Sequence, residues 1–156
     1  MGLSPPADKI MEATRSGKLG TVGDWMSKRP VTVSGERPVG DVVRLMQSQG
    51  IRHVLVLDEG CLAGIFSNRD VGRLVGGVHA LSPATPVKQV MTENPVVVSP
   101  ELGLTEAARE MLDRKIGALP VVVDAAPIGI LTSSDVLEAL LRWAEGRRVE
   151  SRSEEE

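Results

Sequence analysis

Gly64-Ile65-Phe66-Ser67-Asn68-Arg69-Asp70 and Gly129-Ile130-Leu131-Thr132-Ser133-Ser134-Asp135 are one pattern written twice, 65 residues apart. Carried outward without a gap over residues 22–75 and 87–140, the offset pairs Val22/Val87, Met26/Met91, Pro30/Pro95, Val33/Val98 and Glu36/Glu101. It also pairs Arg44/Arg109, Met46/Met111, Ile51/Ile116, Val56/Val121 and Asp70/Asp135. In all, 15 of 54 aligned positions are identical, several times the roughly 6–8% that composition alone would give. The chain is an internal duplication.

Each copy has the same local signals. Pro30-Val31-Thr32-Val33 is a short extended segment, and Pro38 suits the first turn of a helix that Gly50 closes. Val39, Val42, Val43 and Met46 then share one helical face. Val54–Leu57 and Leu62–Phe66 flank the turn Asp58-Glu59-Gly60 and predict a hairpin. A further helix starts near Ser67 and carries Val71, Leu74 and Val75. In the second copy the helical face is Leu104, Ala107, Ala108, Met111 and Leu112. Its hairpin is Val121–Val123 with Ile128–Leu131, and its last helix runs from Ser133 to about Arg147. The expectation is an α+β fold of two βαββα repeats. Its divisions are a leader with a short helix over 1–20, a first repeat over 21–76, a linker over 77–85, a second repeat over 86–147 and a disordered charged tail over 148–156.

Composition narrows the function. The chain has 156 residues, 18 basic and 21 acidic, with a formal net charge of -3, so no polyanion-binding field favours nucleic acid as a main partner. A single cysteine, Cys61, permits no internal disulfide and fits the cytoplasm. No apolar run approaches the roughly 20 residues that span a bilayer, so no membrane is expected. Two histidines, one cysteine and no tyrosine, without HExxH, CxxC, GxSxG or GxxxxGK[ST], give no reason to expect an enzyme or a metal site.

Val22–Pro30 and Val87–Pro95 open the two copies, and Gly50-Ile51-Arg52-His53 and Ile116–Pro120 precede the two hairpins. Together with the paired Gly-Ile-x-Ser/Thr-x-x-Asp segments, these stretches resemble the cystathionine-β-synthase (CBS) domain family. The likeness is to the tandem pair called a Bateman module, as found in stand-alone CBS-domain proteins, and it covers about residues 20–142. It implies two repeats related by pseudo-twofold symmetry, with inter-repeat clefts for adenosine-containing ligands: AMP, ADP or ATP, and also S-adenosylmethionine. No further cofactor is required. It also implies a homodimer that regulates an effector protein in trans by signal transduction.

A nucleoside needs an acceptor pair for the ribose diol, donors or cations for phosphate and an apolar slot for the base. Asp70 and Asp135, each three residues after a hydroxyl where a strand turns into a helix, are the ribose candidates. For phosphate the candidates are Ser67 and Thr132 with the free N–H groups of the first helical turn, then, as the resemblance implies for the positions just before the hairpin, Arg52 and His53, and within the helix-start motifs Asn68, Arg69, Ser133 and Ser134. Thr32, Val33, Val97 and Val98, walled by Val54 and Pro120, are the base-slot candidates. The same Ser/Thr-x-x-Asp spacing is also a helix-capping box with no ligand, and the apolar candidates equally read as core. The second copy has Gly117-Ala118 where the first has Arg52-His53, and Ser133-Ser134 for Asn68-Arg69, so phosphate recognition is expected mainly from the first. The alternative to a ligand sensor is a ligand-free homodimeric scaffold.

Overall fold

The computed structural model describes residues 19–75 and 81–145. The expected leader helix over 7–16, the Gly76-Gly77 part of the linker and the charged tail after 148 lie outside them. The first repeat supplies α1 (Val22–Trp25), β1 (Thr32–Ser34), α2 (Val39–Gln49), β2 (His53–Asp58), β3 (Cys61–Ser67) and α3 (Asn68–Val75). The second supplies a 3-10 turn (Val87–Gln89), β4 (Thr92–Glu93), α4 (Leu104–Arg114), β5 (Ala118–Val123), β6 (Ala126–Thr132) and α5 (Ser133–Ala144).

The local signals act where chain geometry requires them. Helix α2 ends at Gly50 with φ 63°, the left-handed conformation that glycine adopts without steric cost. At the matching position α4 ends on Lys115 with φ 55°, so the backbone repeats although the residue does not. Both hairpins turn through two consecutive residues of positive φ, Glu59 and Gly60 in one, Asp124 and Ala125 in the other, which matches the right-handed twist of their strands.

Two compact units result, and they do not coincide with the two repeats. One holds residues 29–75, 81–96 and the hairpin tip Val123–Ile128. Its sheet has the order β1-β2-β3-β4, parallel between β1 and β2 and antiparallel elsewhere. Val33, Val39, Val42, Met46, Val54, Val56, Phe66 and Val87 form its core, with Val71 and Leu74 of α3 packed against it. The other unit holds residues 19–28, 97–122 and 129–145. There β5 and β6 pair, Val98 bridges Val121 in parallel and Ser27 bridges Ile130 in antiparallel.

Each unit therefore takes its leader from the opposite repeat. Thr92 pairs with Ile65 as Ser27 pairs with Ile130, and Pro86 bridges Pro38 as Thr21 bridges Gly103. Hydrogen bonds follow the same rule: Val87 N–H to Arg37 O at 2.9 Å matches Val22 N–H to Leu102 O at 2.8 Å. The glycine of each Gly-Ile pair is the seat. A Cβ on Gly129 would lie 2.5 Å from Met26 Sδ and 2.8 Å from Ser27 O, and one on Gly64 would lie 2.7 Å from Thr92 O against Met91.

Trp25 is fully buried, its Nε1–H donates to Leu19 O at 2.7 Å, and Arg142 lies over its ring at 5.6 Å. One predicted core position is overturned: Leu112 is 78% exposed, because the buried face of α4 is carried by Leu104, Ala107 and Met111 alone.

Candidate functional site

The first repeat's motif residues gather at one corner of their unit. His53 opens β2 directly opposite Ser67 at the end of β3, and Asn68 N–H donates to Arg52 O at 3.0 Å as α3 begins. Arg52 and Asn68 also line a cavity of about 300 Å³ whose apolar wall includes Met46, Ile51 and Val71. Arg52, Asn68 and Arg69 are exposed, Ser67 and His53 half-buried, and Asp70 buried.

Asp70 holds the corner together. Its Oδ2 accepts the Ser67 N–H at 2.8 Å and the Ser67 hydroxyl at 3.1 Å, while Oδ1 is 3.7 Å from Arg73. Asp135 makes the same pair of bonds with Thr132, at 2.8 and 3.1 Å. A third copy was not anticipated: Asp24 Oδ2 accepts the Thr21 N–H at 2.9 Å and its hydroxyl at 3.2 Å at the start of α1. The signal was the spacing Thr21-x-x-Asp24 itself. All three aspartates cap a helix. One expectation changes accordingly, because the Ser67 and Thr132 hydroxyl protons and the N–H groups of Ser67, Asn68, Thr132 and Ser133 have partners inside the fold.

Burial pushes the His53 imidazole below its ordinary value of 6.5, the Arg52 charge pushes it further, Asp70 pulls it back up, and Arg69 lowers it again. The corner is thus cationic around a neutral imidazole. An arriving dianion would favour the imidazolium.

The corresponding corner of the other unit lacks those cations. Ser133 N–H donates to Gly117 O at 2.9 Å, as Asn68 does to Arg52. Ala118 is buried, Ser133 and Ser134 are exposed, and Thr132 is half-buried above buried Asp135.

Strand alternation divides the base-slot candidates. Thr32 and Val97 face outward, and Val97 is 44% exposed. Val33 and Val54 are core members of one unit. Val98 and Pro120 are buried in the other, where Val98 N–H donates to Pro120 O at 3.0 Å. Their side chains fill the interior, which leaves Thr32 and Val97 as the outward-facing members of the set.

Sequence reasoning did not single out a larger cavity, of about 430 Å³, at the turn end of the β2–β3 hairpin. Its floor includes Val56 and Met91. Glu36, paired with Lys88, and Asp58, Glu59 and Glu93 edge it. It lies at the opposite end of the hairpin from Ser67. Among the described residues no cluster of His, Cys, Asp and Glu side chains is arranged to hold a metal ion, and no helix is long and apolar enough to cross a membrane.

Two matches to the CBS domain model, over residues 22–77 and 87–142, cover most of the chain. The chain belongs to the CBS domain family. Its α+β fold is that of a CBS domain pair, as the solved structures agree. AcuB of Vibrio cholerae is 35% identical with a TM-score of 0.71, over 80% of this chain and 93% of that one. CBSX2, solved in complex with AMP, is 32% identical with a TM-score of 0.67, over 78% and 96%. Inosine-5'-monophosphate dehydrogenase of Korarchaeum cryptofilum is 37% identical over 107 residues, which is 68% of this chain. The chain spans only 21% of that enzyme's length, so the CBS segment is a minor part of it. The duplication read from the sequence is this CBS pair.

Proposed function

We propose that this CBS pair is a sensor of adenosine-containing nucleotides of the AMP, ADP and ATP class, and that it signals to a separate effector protein. The observation that carries the reading is the corner of the first repeat, where Arg52, His53 and Arg69 surround the start of α3. Such a cluster meets a phosphate with charge-assisted hydrogen bonds, and an AMP-bound relative at 32% identity supports the ligand class. Asp70 and Asp135 are proposed to read the ribose with the carboxylate capacity their caps leave, and Thr32 and Val97 to contact the base. S-adenosylmethionine is a further candidate. The module acts in the cytoplasm, as a homodimer and without catalysis.

Titrating the protein calorimetrically with AMP, ADP, ATP and S-adenosylmethionine tests this. Arg52→Ala and Arg69→Ala should each weaken the phosphate-bearing ligands by roughly tenfold to a hundredfold, a lost charge-assisted bond contributing about 1.5–3 kcal/mol, and should spare adenosine itself. No binding of any of the four by folded protein would sink the sensor.

One observation favours the second reading, a ligand-free scaffold. Both motif aspartates do the same capping work as Asp24, a position with no assigned ligand. Wild-type protein that binds no nucleotide yet captures a partner would select it.

A further inference from the structure

We propose that the cavity at the turn end of the β2–β3 hairpin is a second ligand site, and that it takes a linear aliphatic diamine. The site is separate from the nucleotide corner, and neither reading depends on the other.

The cavity, of about 430 Å³, is lined wholly from one unit, and small-molecule sites run from about 300 to 1,000 Å³. Backbone bonds tie its walls together. Gly35 N–H donates to Leu57 O at 3.2 Å, and Lys88 N–H donates to Gly35 O at 3.0 Å. Buried Val56 with half-buried Ala63 and Met91 supplies an apolar floor, which a hydrocarbon chain covers favourably. His53 pairs with Ser67 at one end of the hairpin and Asp58 with Cys61 at the other. At about 3.3 Å per residue the cavity is therefore roughly 16 Å from the cationic corner.

Charge and spacing decide the ligand. Of the four carboxylates at the edge, Glu36 is paired with Lys88, whereas Asp58, Glu59 and Glu93 form no ion pair among the described residues. The surplus charge attracts a cation and repels phosphate. Glu93 pairs with Gly64, and Gly64 with Val56, so Glu93 stands two strand spacings across the floor from Val56. Asp58 stands two residues along the strand from it. With strands about 4.8 Å apart and about 3.3 Å per residue, the backbones of Asp58 and Glu93 are roughly 12 Å apart. Carboxylates at that distance do not converge on one metal ion, and no cluster among the described residues is arranged to hold one. They suit two ammonium groups whose connecting hydrocarbon lies on the floor between them.

The constellation occurs in one copy only. Where the first has Gly35, Asp58, Ala63 and Glu93 around its cavity, the matching positions hold Pro100, Val123, Ile128 and Lys28. Two small residues give way to larger ones, one carboxylate to an apolar side chain and another to a cation. A requirement of the shared fold would be met in both copies, so these four residues serve something other than the fold.

Ligand-observed NMR titration of the full chain with 1,5-diaminopentane tests the proposal, with circular dichroism to verify folding and with pentylamine, 1,5-pentanediol and Mg2+ as controls. Wild type should bind the diamine more tightly than pentylamine and should not bind the diol. Asp58→Asn/Glu93→Gln should weaken the diamine by roughly threefold to thirtyfold, the range for two exposed ion pairs. Ala63→Ile should weaken it by filling the floor, and Glu101→Gln in the second repeat should leave it unchanged. Folded wild type that binds no diamine at millimolar concentration would overturn the site, as would a folded double variant that binds it as tightly as wild type. Equal displacement by Mg2+ at matched charge would reduce the effect to a diffuse negative field and overturn it too. If Ala63→Ile fails to fold, the isosteric double variant, changed only at exposed side chains, decides alone. AMP is titrated separately, so the failure of either site leaves the other standing.

Discussion

Ser67 gives two hydrogen bonds to one oxygen of Asp70, from its N–H at 2.8 Å and from its hydroxyl at 3.1 Å. Any substitution of Asp70 therefore changes the fold as well as the candidate site. Asp24 makes the same bonds at the start of α1 and supplies the control. Asp24→Ala, Asp70→Ala and Asp135→Ala should each lower unfolding stability by about 1 kcal/mol, measured by urea denaturation. Nucleotide affinity should fall only for Asp70→Ala and Asp135→Ala, by roughly tenfold or more.

His53 makes stability depend on pH. Its imidazole titrates below the ordinary 6.5 in the folded chain, so below 6.5 the unfolded state binds a proton that the folded state refuses. Stability should then be fully present above 6.5 and decline as pH falls toward the depressed value. His53→Gln should flatten that part of the stability curve. Ligand binding should run the other way, since a phosphate dianion favours the imidazolium. AMP affinity should rise from pH 7.5 to 6.5, above the range near 6 where phosphate itself takes up a proton, and His53→Gln should abolish the rise.

Gly64 and Gly129 should tolerate no side chain. The leader backbone lies 2.7 and 2.8 Å from where their Cβ atoms would sit, and relief requires moving a strand rather than a rotamer. Gly64→Ala and Gly129→Ala should each cost about 1–3 kcal/mol, read from the midpoint of thermal unfolding. Gly60→Ala is a different case, with nothing within 4 Å of the added Cβ but a φ of +79°; its cost comes from backbone alone, about 1 kcal/mol.

Ala125 has φ 65° at the tip of the second hairpin, where the first has Gly60. Its carbonyl accepts the Leu62 N–H at 3.1 Å, a bond that glycine preserves. Ala125→Gly should stabilise the protein by about 0.5–1 kcal/mol, relief of the left-handed strain outweighing the added chain entropy. A fall in the unfolding midpoint would refute this.

The repeat, both hairpins and the Gly50 cap were legible because each rests on local chemistry, a turn residue or a face of side chains. The Lys115 cap was not, since nothing in lysine announces positive φ; only the register with Gly50 does. Alternation could have separated Thr32 from Val33 and Val97 from Val98 before any coordinates, because neighbours on a strand face opposite ways. The exchange of leaders was invisible for a different reason. Val22 and Val87 match equally well whether each packs on its own repeat or on the other, so a constant offset fixes the alignment but not the partner. Leu112 was misassigned because periodicity identifies an apolar residue and not what covers it. At the candidate site, Arg52 and His53 were reached through the family resemblance and Arg69 through its place in the helix-start motif, comparison of the copies adding only their asymmetry, whereas the capping bonds that occupy Ser67 and Thr132 needed atomic distances.

The seat beside Gly64 is filled by Thr92, and the seat beside Gly129 by Ser27. A chain with a single repeat would reproduce that arrangement only by lending its leader to another molecule and borrowing one in return. Tethering the two repeats turns that trade into an intramolecular event at a local concentration on the order of millimolar. Gene fusion would thus have removed protein dilution as a threat to the fold, while leaving the two halves free to diverge in charge.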